Sequence, residues 1–295
     1  VLVDTDGSVY MYYGYQGSSM CQMNPNDMYT IMPNTTITNL VSTTSPFYFF
    51  EASSIRKVGN TYYFIYSPNN ATTTLVYATS SSPKGPFTYR GTIINSGKNY
   101  PGANDHGSIC NINGQWYIFY HRMTNNTMYS RKGCVEKINI LSDGSIPEVE
   151  MTSMGLSKSL SPYQSNPADL SCYLTGGNYS TEINKDTRPV INNKNNAVIG
   201  FKYFDFTRTT TSAQTTFSAN IRYGKTAGKM EIRLDNPTSG TLIGTLNIGS
   251  KTGDTNWYTL TTDVSNVTGS HALYFRFTGA STSDNICDIA SFEFK

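Results

Sequence analysis

Charge is scarce in this chain. Of 295 residues, 22 are Lys or Arg and 20 are Asp or Glu, for a net charge of +2. Such a balance provides neither a basic stripe for nucleic acid nor a polybasic segment for an anionic membrane, so no nucleic-acid or membrane partner is expected. Long apolar runs are missing as well. No stretch of about 18 apolar residues occurs, which excludes a transmembrane helix, and no segment sustains a helical period. The five cysteines (Cys21, Cys110, Cys134, Cys172 and Cys287) show neither CxxC nor His–Cys spacing. That excludes a zinc site, and the odd count excludes a complete disulfide framework. Cys110 and Cys134 fall in apolar strand patterns and are expected to pack as small hydrophobes. Cys172 and Cys287 lie near the two ends of the second half, where a single bridge would join terminal strands.

Aromatic and hydroxyl-bearing residues are plentiful instead. Aromatics make up 13% of the chain, with 22 Tyr, a composition that suits neutral, hydroxyl-rich ligands such as sugars. The length allows two domains. The chain opens on Val1-Leu2-Val3-Asp4, which is already strand-like, so it reads as starting inside a domain. No signal peptide is seen there.

The central stretch is Phe49-Phe50-Glu51-Ala52-Ser53-Ser54-Ile55-Arg56-Lys57, followed after the Gly59-Asn60 turn by Tyr62-Tyr63-Phe64-Ile65-Tyr66. It reads as a β-hairpin. Glu51 sits awkwardly in it. A carboxylate after two Phe residues either faces solvent or is held in a semi-apolar site, where a carboxyl keeps its proton longer and can act as a general acid. A repeat favours the second reading. Gly7-Ser8-Val9-Tyr10-Met11-Tyr12-Tyr13 matches residues 60–66 at a spacing of 53, and Gly114-Gln115-Trp116-Tyr117-Ile118-Phe119-Tyr120 matches them at 54. A multi-strand unit with this period is the signature of a β-propeller. Glu51 lies 12 residues before Tyr63 and His106 lies 11 before Tyr117. Both therefore fall at the start of a blade, where blades converge on the axis.

Residues 1–155 thus read as blades and residues 156–168 as a linker or wrapping segment rich in Ser, Pro, Asn and Gln. Residues 169–295 carry short strands at Val198–Phe206, Gln214–Tyr223, Lys229–Asp235, Thr241–Ile248, Trp257–Val264, His271–Thr278 and Cys287–Phe294, the pattern of a β-sandwich. Further strands are expected at Met28–Met32 and Pro147–Met151. The fold class is all-β: about three blades of a propeller plus a jelly-roll sandwich. Three such repeats do not close a ring, since a propeller needs about four blades or more.

These residues bring a resemblance into view. Val1-Leu2-Val3-Asp4-Thr5-Asp6-Gly7, Phe50-Glu51-Ala52, Asp105-His106-Gly107-Ser108-Ile109, Phe119-Tyr120-His121-Arg122 and Ser130-Arg131-Lys132-Gly133-Cys134-Val135-Glu136 resemble the C-terminal blades of glycoside hydrolase family 43, a five-bladed propeller. The stretches Val198–Phe206, Lys229–Asp235 and His271–Phe277 resemble carbohydrate-binding module family 6. The first resemblance implies an inverting glycosidase, secreted or on the cell surface of a bacterium, that releases arabinofuranose or xylose from arabinoxylan, xylan or xylooligosaccharides. It needs no cofactor for its chemistry. Arabinanase is the alternative within the class. A non-catalytic carbohydrate-binding protein on a decayed propeller is the alternative outside it.

The resemblance further implies that Glu51 is the general acid, that Arg131 reaches the sugar beside Phe50, and that His106 lies on the axis next to a hydrated metal, often calcium, or a water cluster. Two partner carboxylates, an Asp base and an Asp that tunes the acid, fall upstream of Val1. An N-terminal half of the propeller carrying both is therefore the expected partner, along with a hemicellulose oligosaccharide. Asp4 and Asp6 flank a Gly turn and do not replace them. In the module, the usual sugar-stacking positions fall at Val198 and near Asp254, with Trp257 at a neighbouring structural position and Asp288 in place of an Asn. Glu182 and Asp288 are the implied ligands of a structural calcium.

Overall fold

The computed structural model describes residues 1–207 and 216–295. Among them the one helical element is the 3₁₀ turn Ala168–Leu170, and no helix is long and apolar enough to cross a membrane. The chain forms two compact units. One comprises Val1–Gly97, Gly102–Arg122 and Arg131–Met151, and the other Lys98–Pro101, Met123–Ser130 and Thr152–Lys295.

Three consecutive antiparallel sheets make up the first unit, apart from Met123–Ser130 of the third, which count with the second unit. β1 (Leu2–Val3), β2 (Val9–Tyr13), β3 (Ser19–Met23) and β4 (Ile37–Thr38) make the first blade. β5 (Phe49–Val58), β6 (Thr61–Pro68), β7 (Thr74–Ser80) and β8 (Thr88–Asn95) make the second, and β9 (Ser108–Ile112), β10 (Gln115–Thr124) and β11 (Thr127–Ile138) the third. The repeated motif is the second strand of each blade. Each is entered through a turn that holds a glycine at positive φ, Gly7 at 85°, Gly59 at 58° and Gly114 at 87°, a conformation glycine adopts without steric cost. Residues Tyr62–Pro68 of β6 are buried without alternation, as expected for a strand covered on both faces. Phe49, Phe64 and Tyr66 join Tyr10, Tyr12, Met20 and Val76 in one core.

Two expected strands are not strands. At 28–32 only Ile31 bridges Met23. The Asp27 carboxylate accepts from the backbone N–H of Tyr29 and Thr30, and this local turn outcompetes sheet pairing. At 147–151 only Val149 pairs, with Ile94. Cys110 is exposed and Cys134 half-buried, so neither is the core hydrophobe its pattern suggested. The edge position of β9 and β11 in a three-stranded blade leaves them less covered than β6. Cys172 and Cys287 are buried and are not joined by a disulfide.

Asp4 also differs from expectation. It is buried rather than an outward turn residue. Its carboxylate accepts hydrogen bonds from the Lys57 ammonium, the Tyr62 hydroxyl and the Thr5 backbone N–H, so it ties the β1–β2 turn to the second blade.

The second unit continues the strand count with β12 (Asn166–Pro167), β13 (Tyr173–Thr175), β14 (Tyr179–Ser180), β15 (Val190–Asn193), β16 (Val198–Asp205), β17 (Thr216–Tyr223), β18 (Gly228–Leu234), β19 (Leu242–Ile248), β20 (Tyr258–Asp263), β21 (Ser270–Gly279) and β22 (Cys287–Phe294). Gln214 and Thr215 of the expected strand lie outside the described residues. One sheet runs β14-β15-β22-β17-β20 with β12 also on β22, and the other runs β13-β16-β21-β18-β19. Phe201, Phe217, Phe275 and Phe292 interlock between them, with Phe292 ring centroids 4.8 Å from Phe201 and 4.9 Å from Phe275. The segment expected as a linker pairs with this sandwich. Leu160 bridges Phe204, and β12 lies along β22 at an edge where Pro167 is tolerated.

Candidate active site

Glu51 lies at the start of β5, where the strand is irregular. The register with β6 shifts both between Phe49 and Glu51 and between Glu51 and Ser54. Ala52 has φ 64°, in the left-handed region that a non-glycine residue rarely occupies. Bulges re-aim side chains, and strain of this kind concentrates at functional positions. The Glu51 side chain is 23% exposed, neither solvated nor sealed. One of its oxygens, Oε1, lies 3.1 Å from His106 Nε2.

His106 comes from the loop that enters β9. That loop can approach because residue 107 is glycine, since a Cβ there would lie 2.1 Å from the Phe119 carbonyl oxygen. The hydroxyl of Ser54 donates to that of Ser108 at 2.8 Å, which joins β5 to β9 just below the pair. Behind His106 is a buried polar group. Asp105 is fully buried. One carboxylate oxygen accepts from the His121 backbone N–H at 3.1 Å, and the other has no hydrogen-bond partner. Burial pushes its carboxyl up to about 7. His121 stands edge-on to His106 with ring centroids 5.6 Å apart, and both of its ring nitrogens are buried without a partner. Burial, with the charges of Arg131 and His106 in support, lowers His121 to about 4, so it is neutral at ordinary pH.

The structure therefore brings Glu51 and His106 into direct contact. Arg131, exposed on β11, is near enough for its charge to act on His121. Phe50 packs against Tyr15, with ring centroids 5.0 Å apart. Two neighbours went unforeseen. Asp105 is adjacent to His106 in sequence, but nothing local signals its complete burial. Tyr15 lies in a turn whose position depends on Phe50.

The two residues expected as calcium ligands in the sandwich are engaged with the protein's own groups. Asp288 is buried, and its Oδ2 accepts from Arg222 Nε and Nη2 at 3.0 and 2.7 Å. Its Oδ1 accepts from the Asn192 backbone N–H and Asn285 Nδ2. A carboxylate has about four acceptor positions, and all are taken. Glu182 is half exposed and lies 3.8 Å from Arg188. No group of three or more His, Cys, Asp or Glu among the described residues is arranged to hold a metal ion.

Trp257 and Tyr258 of the sandwich each face one of the protein's own cations. The Arg222 guanidinium lies 5.3 Å from the Trp257 ring centroid, and Lys251 Nζ lies 3.8 Å from that of Tyr258. Asp254 accepts from the Tyr258 hydroxyl, and Val198 is buried. Trp257 is thus committed to the protein, and Trp257→Ala is expected to leave retardation in xylan affinity gels unchanged. A loss of retardation would place sugar on that ring.

The comparisons agree with this architecture. Residues 1–146 match the family model of glycosyl hydrolases family 43, and residues 172–295 match that of carbohydrate binding module family 6. A "Xylosidase/arabinosidase" of Thermoclostridium stercorarium is 37% identical over an alignment covering 80% of this chain and 54% of the relative. An "Arabinoxylan arabinofuranohydrolase" of Bacillus subtilis is 32% identical, covering 96% of this chain and 60% of the relative. The crystal structure of a glycoside hydrolase family 43 arabinoxylan arabinofuranohydrolase from Bacillus subtilis, in complex with cellotetraose, superposes with a TM-score of 0.53 at 29% identity, covering all of this chain and 66% of that one. The chain spans about half the length of the curated relatives it matches, 54% and 50% of two of them.

Proposed function

We propose that this chain provides the general-acid side of an inverting glycoside hydrolase that releases arabinofuranose or xylose from arabinoxylan, xylan or xylooligosaccharides. The observation that carries the reading is Glu51, re-aimed by two register shifts, half-shielded, and held at 3.1 Å by His106. In this reading Glu51 protonates the glycosidic oxygen as the bond breaks. His106 fixes the rotamer of Glu51, and Arg131 meets sugar hydroxyls. An Asp base on the far face of the sugar activates water. The two carboxyl groups of an inverting site stand about 6.5–9.5 Å apart to admit that water. The base and a second Asp belong to an N-terminal propeller half that works together with this chain. The names of the relatives, xylosidase/arabinosidase and arabinoxylan arabinofuranohydrolase, support arabinoxylan over arabinan. The lack of charged excess and the family 6 module suit a secreted or surface enzyme that works on a neutral polysaccharide.

A calcium ion or water cluster beside His106 belongs to the same reading. The unpartnered Asp105 oxygen and one nitrogen of the neutral His121 ring are the buried acceptors there, and the other His121 nitrogen is a donor suited to water. Such an ion would order the channel floor, and no step of the reaction passes through it.

The test follows product stereochemistry. The complete enzyme carrying residues 1–295 is incubated with arabinoxylan and with xylooligosaccharides, and the anomer first released is read by proton NMR. Free pentose of inverted configuration is expected. Retained configuration overturns the inverting mechanism, and no release of pentose from either substrate overturns the activity.

A further inference from the structure

Tyr15 is a large aromatic residue left 65% exposed. It is nevertheless held in place. Its turn is tight, since a Cβ on Gly14 would lie 2.0 Å from the Gly17 carbonyl oxygen. The next residue, Gln16, takes φ 54° and donates its backbone N–H to the Phe50 carbonyl at 2.7 Å. The turn is therefore pinned to β5, and the Tyr15 ring meets Phe50 at 5.0 Å with planes inclined by 54°. Beside this wall opens a concavity of about 320 Å³ lined by Gln16, Thr43, Phe49, Phe50 and Asn69. The lining has no charge. It offers aromatic surface, two amides and a hydroxyl, the mixture that fits a neutral ligand with one apolar face and a rim of hydroxyls. Three non-glycine residues around it, Gln16, Tyr48 and Ala52, hold left-handed backbone at φ 54°, 52° and 64°, the kind of strain that functional walls retain.

We propose that Tyr15 and Phe50 form a subsite for a pyranose unit of the polysaccharide on the leaving-group side of Glu51. This rests on the reading of Glu51 as the acid. Phe50 and Glu51 are consecutive, so their Cα atoms are about 3.8 Å apart. The register with β6 shifts between Phe49 and Glu51, which breaks the alternation that would otherwise turn Phe50 away from Glu51. On the reading of Glu51 as the acid, the sugar bearing the leaving-group oxygen then lies toward this wall. The platform therefore selects for a polymer or oligomer over a small glycoside.

The experiment measures binding without turnover. In the complete enzyme carrying Glu51→Gln, xylotetraose is titrated by calorimetry against the parent, Tyr15→Ala and Tyr15→Phe. Loss of one aromatic face is expected to weaken binding on the order of three- to tenfold, with Tyr15→Phe close to the parent. Equal affinity of Tyr15→Ala and the parent overturns the proposal, as does a parent that binds no xylotetraose. If Tyr15→Ala instead abolishes self-association while oligosaccharide affinity is intact, the wall is a protein contact and the proposal falls. Because no catalysis is read, these outcomes are separate from the test of activity: an enzyme that releases no pentose yet loses xylotetraose binding in Tyr15→Ala still has the platform.

Discussion

In the complete enzyme, and on the reading of Glu51 as its acid, Glu51→Gln is expected to lower turnover of xylooligosaccharides by about 10²–10⁴-fold, the contribution general acid catalysis usually makes. Glutamine keeps the size of the side chain and a polar atom for His106 Nε2, which stands 3.1 Å from the carboxylate. The fold and substrate binding therefore persist, and the loss falls on the chemical step. An aryl glycoside with a good leaving group needs little protonation and is expected to lose much less. Steady-state rates on both substrates, with thermal melting as the control for folding, check this. Turnover of the oligosaccharide within about threefold of the parent removes Glu51 from the role of acid.

Asp4→Asn destabilises the first unit, and the size of the effect depends on pH. Burial alone would raise the Asp4 carboxyl, but hydrogen bonds from Lys57, Tyr62 and the Thr5 backbone outweigh it and bring the group to about 2. A carboxyl depressed below its unfolded value of about 4 contributes stability that is complete above that value. The contribution fades as pH falls from about 4 toward about 2. Hydrogen bonds to a charged group are typically worth about 1.5–3 kcal/mol, and losing the charge forfeits part of that at neutral pH. The variant and parent are expected to differ in denaturation midpoint at pH 7 and to converge near pH 2. A constant difference across that range would show that the charge of Asp4 is not what holds the turn to β6.

Much of the first unit was legible because its signals are local. Hairpin turns require positive φ, so Gly7, Gly59 and Gly114 mark the repeat whatever surrounds them. The register that follows puts Glu51 and His106 at equivalent blade starts, and the structure joins them. The Met28–Met32 strand misled because Asp27 captures backbone N–H groups two and three residues on, a side-chain choice that apolar patterning does not register. The partners of Asp288 were not legible for a different reason. Its oxygens attract any donor, and two of their roughly four acceptor positions go to the Arg222 guanidinium from the neighbouring strand β17.

The sequence by itself determined that this chain is all-β, that its first part is a run of blades, and that a carboxylate and an imidazole start two of them. Strand period and turn chemistry act over a few residues, and composition reports them directly. Only the tertiary structure decided which polar groups meet. Glu51 came to His106, Asp4 to Lys57 and Tyr62, Asp288 to Arg222, and Tyr15 to Phe50. Those pairings depend on burial, because a polar group removed from water must take whatever donor or acceptor the packed chain brings within reach.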